Sequence, residues 1–101
     1  MTNRLKPHVR RELVLRAAVD TARVPGGWAC LTRARIAWTA GCSEGLVSKY
    51  LGDMPSARRA IMRVAVRDEI LEIIVQSMVR YDGYAVPRKL KQKALLSLIT
   101  Q

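Results

Sequence analysis

Apolar residues in this chain return at three- and four-residue steps, and proline and glycine cut the runs into short lengths, a pattern that points to packed helices. From about His8 to Arg23, Leu13, Val14, Ala17, Ala18 and Thr21 mark one helix face, with Arg10, Arg11, Arg16, Asp20 and Arg23 on the other side. Pro7 suits the first turn, where its missing N–H would have no intrahelical partner anyway. Pro25-Gly26-Gly27 ends this helix. Thr32 is placed to cap a second, short helix through Ala40 that buries Ile36, Ala37 and Ala40. Gly41 follows where a chain leaving a helix needs a positive φ. Ser43 can cap a third short helix, Glu44 to Tyr50 or Leu51, whose apolar side is Leu46, Val47 and Tyr50.

A fourth helix is expected from Pro55 to about Tyr81. Its wide apolar arc runs from Ile61 through Ile70, Ile74 and Met78, and implies burial against more than one neighbour. Asp82-Gly83 ends it, and Pro87 opens a fifth helix to about Thr100 with Leu90, Ala94, Leu95, Leu98 and Ile99 on its apolar side. Trp28 and Trp38 are expected to pack under the first and fourth helices. No segment carries a defensible strand signal, and the alternation over Tyr84 to Val86 reads as loop.

Charge narrows the function. The 101 residues hold 18 Lys and Arg against 8 Asp and Glu, a formal net charge of +10. The first 59 residues carry +7 of it and the remainder +3. A charge of this size selects polyanions, because each Lys or Arg that neutralises a phosphate releases condensed counterions. Half the residues are apolar, which excludes a disordered basic tail, and no run approaches the roughly 18 consecutive apolar residues of a membrane span. Arg10, Arg11, Glu12 and Arg16 interrupt any signal-peptide core, so a cytoplasmic chain that avoids the membrane is expected. Cys30, Cys42 and the lone His8 are too few and too scattered for a zinc site, and no cofactor or metal is expected. The thiols read as small reduced apolar residues. Catalysis is not expected either. There is no phosphate-cradling glycine loop and no nucleophile with a credible base, and the pairs Asp68/Glu72 and Glu69/Glu72 read as solvating charges around Arg67. Two Trp and three Tyr without Phe make a poor stacking platform for single strands.

The two short helices around a glycine turn describe a helix-turn-helix. The run Thr32-Arg-Ala-Arg-Ile36-Ala37-Trp-Thr-Ala40-Gly41-Cys42-Ser43-Glu-Gly45-Leu-Val-Ser-Lys-Tyr50-Leu51 resembles the DNA-binding segment of the tetracycline-repressor (TetR) family. The likeness lies in its Ile-Ala, Ala-Gly and Ser-x-Gly elements, with Val14-Leu15-Arg16-Ala17-Ala18 and Gly26 resembling the family's first helix and following glycine. It covers roughly Arg10 to Ala60. Cys42 stands where Val is usual, Ser48 where Tyr is, Leu51 where Phe is, and Met54 where a Lys opens the next helix, so two typical phosphate contacts are missing. The family's ligand-binding and dimerising domain is far longer than the roughly 45 residues that follow the motif here. The expectation is therefore an all-α chain: a basic arm at 1–7, a three-helix TetR- or homeodomain-like helix-turn-helix region at 8–54, and a two-helix dimerisation hairpin at 55–101. Two helices do not readily enclose a pocket of several hundred Å³, so no small-molecule effector is expected.

In such a motif the recognition helix presents its N-terminal part to base edges while flanking groups grip phosphates. Ser43 leaves backbone N–H groups and a positive helix end for a phosphate. Glu44 can accept from a cytosine amino group or simply stabilise its helix N-terminus. Gly45 permits close approach, and Ser48 and Lys49 can reach base edges or phosphate. Lys49 as a solvated charge and Tyr50 as core, rather than phosphate donor, are the plain alternatives. Thr32, Arg33 and Arg35 are the expected backbone clamps, and Arg4 and Lys6 an arm for the minor groove. A homodimer is expected through Ile70, Ile74, Met78, Leu95 and Leu98. The chain then reads as a small autoregulatory repressor on a palindromic double-stranded operator. A basic helical adaptor, an antitoxin-like factor or a nonspecific nucleic-acid binder is the alternative.

Overall fold

The computed structural model describes residues 6–80 and 82–99. These form six helices and no strand: α1 (Pro7–Arg23), α2 (Arg33–Ala40), α3 (Glu44–Leu51), α4 (Met54–Arg67), α5 (Leu71–Val79) and α6 (Arg88–Ile99). None is long and apolar enough to cross a membrane. Local chemistry sets most of their ends. Thr32 Oγ1 accepts from the Arg35 N–H at 3.1 Å, Ser43 Oγ from Leu46 at 3.1 Å, and Asp53 Oδ1 from Ser56 at 2.9 Å, each capping the helix that follows. Gly41 closes α2 in the left-handed conformation, φ 69° and ψ 36°, as its position in the sequence requires.

The long fourth helix expected to run to Tyr81 is two helices. Glu69 takes φ +52°, and the Ile70 N–H returns to the Ala65 carbonyl at 2.8 Å while Asp68 N–H bonds Val64 at 2.9 Å. This left-handed stop normally uses glycine, and here the buried Ile70 supplies the apolar contact that accompanies it. Lys93 Nζ, from α6, meets Glu69 Oε1 at 2.7 Å. The wide apolar arc is thereby resolved into two ordinary ones: Ala57, Ala60, Ile61, Met62 and Ala65 on α4, and Ile73, Ile74 and Ser77 on α5.

One core joins all six helices, with Trp28, Ile36, Ile61, Ile73, Ile74 and Val47 sealed at its centre. Each such large apolar side chain contributes about 1.5–3 kcal/mol over its exposed state. On α1 the buried set is Val14, Leu15, Ala17, Ala18, Val19 and Ala22, so Leu13, expected inside, is half exposed and the face lies slightly round the helix from the expected one.

The loop between α1 and α2 is tied to α5 by one side chain. Gln76 Oε1 accepts from the Trp28 N–H at 2.9 Å, and its Nε2 donates to the carbonyls of Ala22 and Val24, each at 3.0 Å. The Trp28 indole N–H donates to Asp82 Oδ2, the Arg58 guanidinium lies 4.7 Å from the indole centroid while donating to the Trp28 carbonyl at 2.8 Å, and Tyr84 meets the ring edge-on. Burial, and then the nearby Arg80, lower the Arg58 pKa, against Tyr84 and Asp82, which raise it. Gly27 is required in this loop, because a Cβ there would overlap the Thr21 carbonyl oxygen.

Candidate nucleic-acid interface

Helices α2 and α3 are eight residues each and are joined by the three residues Gly41-Cys42-Ser43. Gly41 makes the turn without side-chain strain, and the Cys42 N–H returns to the Ala37 carbonyl at 3.0 Å. Ile36, Ala37, Val47 and Leu51 anchor the pair in the core. The Thr21 and Thr39 hydroxyls, 2.8 Å apart, tie α1 to the outer flank of α2.

This anchoring fixes what the pair exposes. Thr32, Arg33, Arg35, Ser43, Glu44, Gly45 and Lys49 are exposed, and Ser48 and Tyr50 are half-buried. Each hydroxyl cap satisfies the third N–H of its helix, so the first N–H groups of α2 and α3 remain available to an external acceptor. A Cβ on Gly45 would meet nothing closer than Ser43 Oγ at 3.9 Å, so this surface is open to close approach. Lys49 Nζ lies 5.5 Å from the Tyr50 ring centroid, and Tyr50 packs against the core. Glu44 occupies the first turn of α3, where a carboxylate is favoured by the helix dipole whatever else it contacts. Lys6 is exposed at the N-cap of α1, and Arg4 lies outside the described residues.

The start of α4 adjoins this surface. Asp53, its N-cap, has its carboxyl held below the usual range first by the Ser56 hydrogen bonds and then by the charges of Arg59 and Arg33. Arg33 of α2 and Arg59 of α4 therefore both lie near the Asp53 carboxylate, and Arg59 is not among the residues expected at the α2–α3 surface.

Two expectations are corrected here. Trp38 is 88% exposed rather than packed under the helices, because Ile36 and Ala37 take the inward face of α2 and the next residue turns about 100° away. Of the expected dimer residues, Ile70 and Ile74 are buried in the chain's own core, where the break at Glu69 turns α5 inward. Met78 is half-buried, and Leu95 and Leu98 are each 49% exposed. Val79, Leu96 and Ile99 are the most exposed apolar residues of the last two helices. Among the described residues no group of three or more His, Cys, Asp or Glu side chains could hold a metal, and both cysteines are free thiols, Cys30 exposed and Cys42 half-buried. Comparison of the chain with protein-family models, curated proteins and solved structures finds no match.

Proposed function

We propose that the chain is a sequence-specific regulator that binds double-stranded DNA through a helix-turn-helix, α3 entering the major groove and the start of α2 gripping the backbone. The observation that carries this reading is the left-handed Gly41 turn between two separately capped helices, whose exposed side is Arg33, Arg35, Ser43, Gly45 and Lys49. Such a surface supplies phosphate ligands at its rim and short side chains at its centre, as close approach to base edges requires. The resemblance to the TetR family supports the same assignment from the sequence alone.

The regulator acts as a two-fold dimer. Its interface is built from α5 and α6, through the exposed apolar side chains Leu95, Leu96, Leu98 and Ile99 of α6 and Val79 of α5. Two copies place two recognition helices on a palindromic operator, and repression by occupancy, including of its own gene, needs no small-molecule effector, cofactor or catalytic group. The setting is the bacterial cytoplasm, on the nucleoid.

Selection of bound duplexes from a random pool tests this directly. The expected result is an enriched inverted repeat, bound at least about a hundredfold more tightly than its shuffled sequence at physiological salt. Equal affinity for both sequences at every salt concentration overturns the regulator and leaves a nonspecific polyanion binder.

A further inference from the structure

A basic row runs along α4, starting at the end of that helix that adjoins α2 and α3. Arg59, Arg63 and Arg67 recur at four-residue steps on α4, so their side chains form one row, with neighbouring Cβ atoms about 5–6 Å apart. Beside the row runs a trough of about 390 Å³ between α4 and the segment at 84–85, with Met62, Val66 and Tyr84 in its mostly apolar lining. Arg67 is bound by Asp68 through hydrogen bonds of 2.9 and 3.1 Å. Arg59 donates only to Ser56 Oγ, at 3.0 Å, and neither it nor Arg63 forms an ion pair among the described residues.

We propose that this trough docks an acidic amphipathic helix of a partner protein, its carboxylates spaced along the arginine row and its apolar side chains on Met62, Val66 and Tyr84. Three features select that occupant. The trough is open to solvent, whereas a small ligand needs most of its surface enclosed. A second copy of a chain with net charge +10 brings like charge to an arginine rim. A nucleic-acid strand offers phosphates to the row but leaves the apolar lining uncovered. An α-helix answers both parts at once: residues four apart on its surface are also about 5–6 Å apart, matching the row, and the adjacent stripe is free to be apolar. The row from Arg59 to Arg67 spans about 12 Å, a little over two turns of such a partner.

The probe is a fluorescein-labelled synthetic helix with Glu at every fourth position and Leu on the adjacent stripe, titrated with the full chain by anisotropy. Its companions are a scrambled peptide of identical composition, sodium dodecanoate and a random-sequence duplex as competitors. The expected result is binding at about micromolar concentration, weakened at least tenfold by scrambling and at least tenfold by Arg59→Glu/Arg63→Glu, with circular dichroism unchanged because both side chains are exposed. Val66→Ser is expected to weaken it about threefold or more through the apolar lining alone. No binding, equal binding of the scrambled peptide, an unaffected double variant, displacement by dodecanoate, or displacement by duplex that persists in Arg33→Ala/Lys49→Ala each overturns the proposal. The Arg33→Ala/Lys49→Ala background lacks the α2 and α3 cations assigned to DNA under the proposed function, so failure of the trough and failure of that reading are distinguishable.

Discussion

Gln76→Leu removes the side chain that hydrogen-bonds the loop 24–28 to α5 among the described residues. Leucine keeps the bulk and loses three hydrogen bonds, and the three are not equivalent. The bonds to the Trp28 N–H and the Ala22 carbonyl are partly buried, so each group left behind suffers most of its desolvation cost, about 1–1.5 kcal/mol apiece. The Val24 carbonyl is exposed and regains water, which limits that loss to about 0.5 kcal/mol. The sum is about 2.5–3.5 kcal/mol, and at about 4–8 °C per kcal/mol for a domain near 100 residues the midpoint falls by about 10 °C or more. Urea unfolding followed by far-ultraviolet circular dichroism measures it, with an unchanged m-value showing that the native state was weakened and not the denatured state reshaped. A loss below about 0.5 kcal/mol refutes the reasoning, since it means the loop keeps its position without Gln76. Loss of α5 alone, seen as a separate low-urea transition, refutes it differently by showing that the hairpin and the first helices do not unfold together.

Four other outcomes are expected. Gly27→Ala drives a Cβ into the Thr21 carbonyl and to 2.9 Å from that of Val24, and costs about 2 kcal/mol or more in the same urea assay. The carboxyls of Asp53, Asp68 and Glu72 are held below their ordinary values, by the Ser56 hydrogen bonds, by the hydrogen bond from Arg67, and by Glu72's own N–H together with Arg23, respectively. Depressed folded pKa values give stability that is complete above the unfolded values and lost as pH falls through the folded ones, so melting temperature should drop below about pH 4, and Asp53→Asn, which keeps an acceptor that does not titrate, should flatten that drop. Arg33→Ala and Lys49→Ala should each lower the salt slope of operator binding by about 0.9 for every phosphate no longer neutralised, with the fold intact; no change in either removes α2 and α3 from the DNA. Leu96→Asp should make the melting temperature independent of protein concentration, and a wild-type chain already monomeric at micromolar concentration counts against the dimer.

The parts of the fold legible in the sequence are those governed by local rules. Thr32, Ser43 and Asp53 sit at helix starts because a short oxygen-bearing side chain there satisfies a backbone N–H, and Gly41 ends α2 because a left-handed residue needs no Cβ. The break at Glu69 was hidden because glycine, the usual signal, is absent. What holds it is Ile70 finding the core and Lys93 arriving from α6, both tertiary. Reading one helix through that break sets Ile70 and Ile74 on the expected dimer face, whereas both are buried in the chain's own core. Trp38 misled for a related reason: composition says that tryptophan is mostly buried, but residue 38 on a helix anchored by Ile36 and Ala37 must face outward. The Gln76 bridge has no sequence signature at all, since a half-buried glutamine declares its partners only after the chain has folded.

The two basic surfaces are linked through one helix but are electrostatically close to independent. Arg59 begins the arginine row and, with Arg33 of α2, also acts on the Asp53 carboxylate, so a carboxylate docked on the row would lower the local potential at the proposed DNA surface. Two unit charges on the order of 10 Å apart in water interact by only about 0.4 kcal/mol, and screening at physiological salt, with a Debye length of about 8 Å, cuts this further. Each carboxylate–phosphate pair at that separation would weaken joint binding by less than about twofold. Antagonism that persists at high salt has to travel through α4 itself, whose N-cap and Gly52 turn abut the helix pair. Coupling measured between the peptide and an operator at two salt concentrations separates the routes, because the electrostatic part shrinks with salt and a movement of α4 does not.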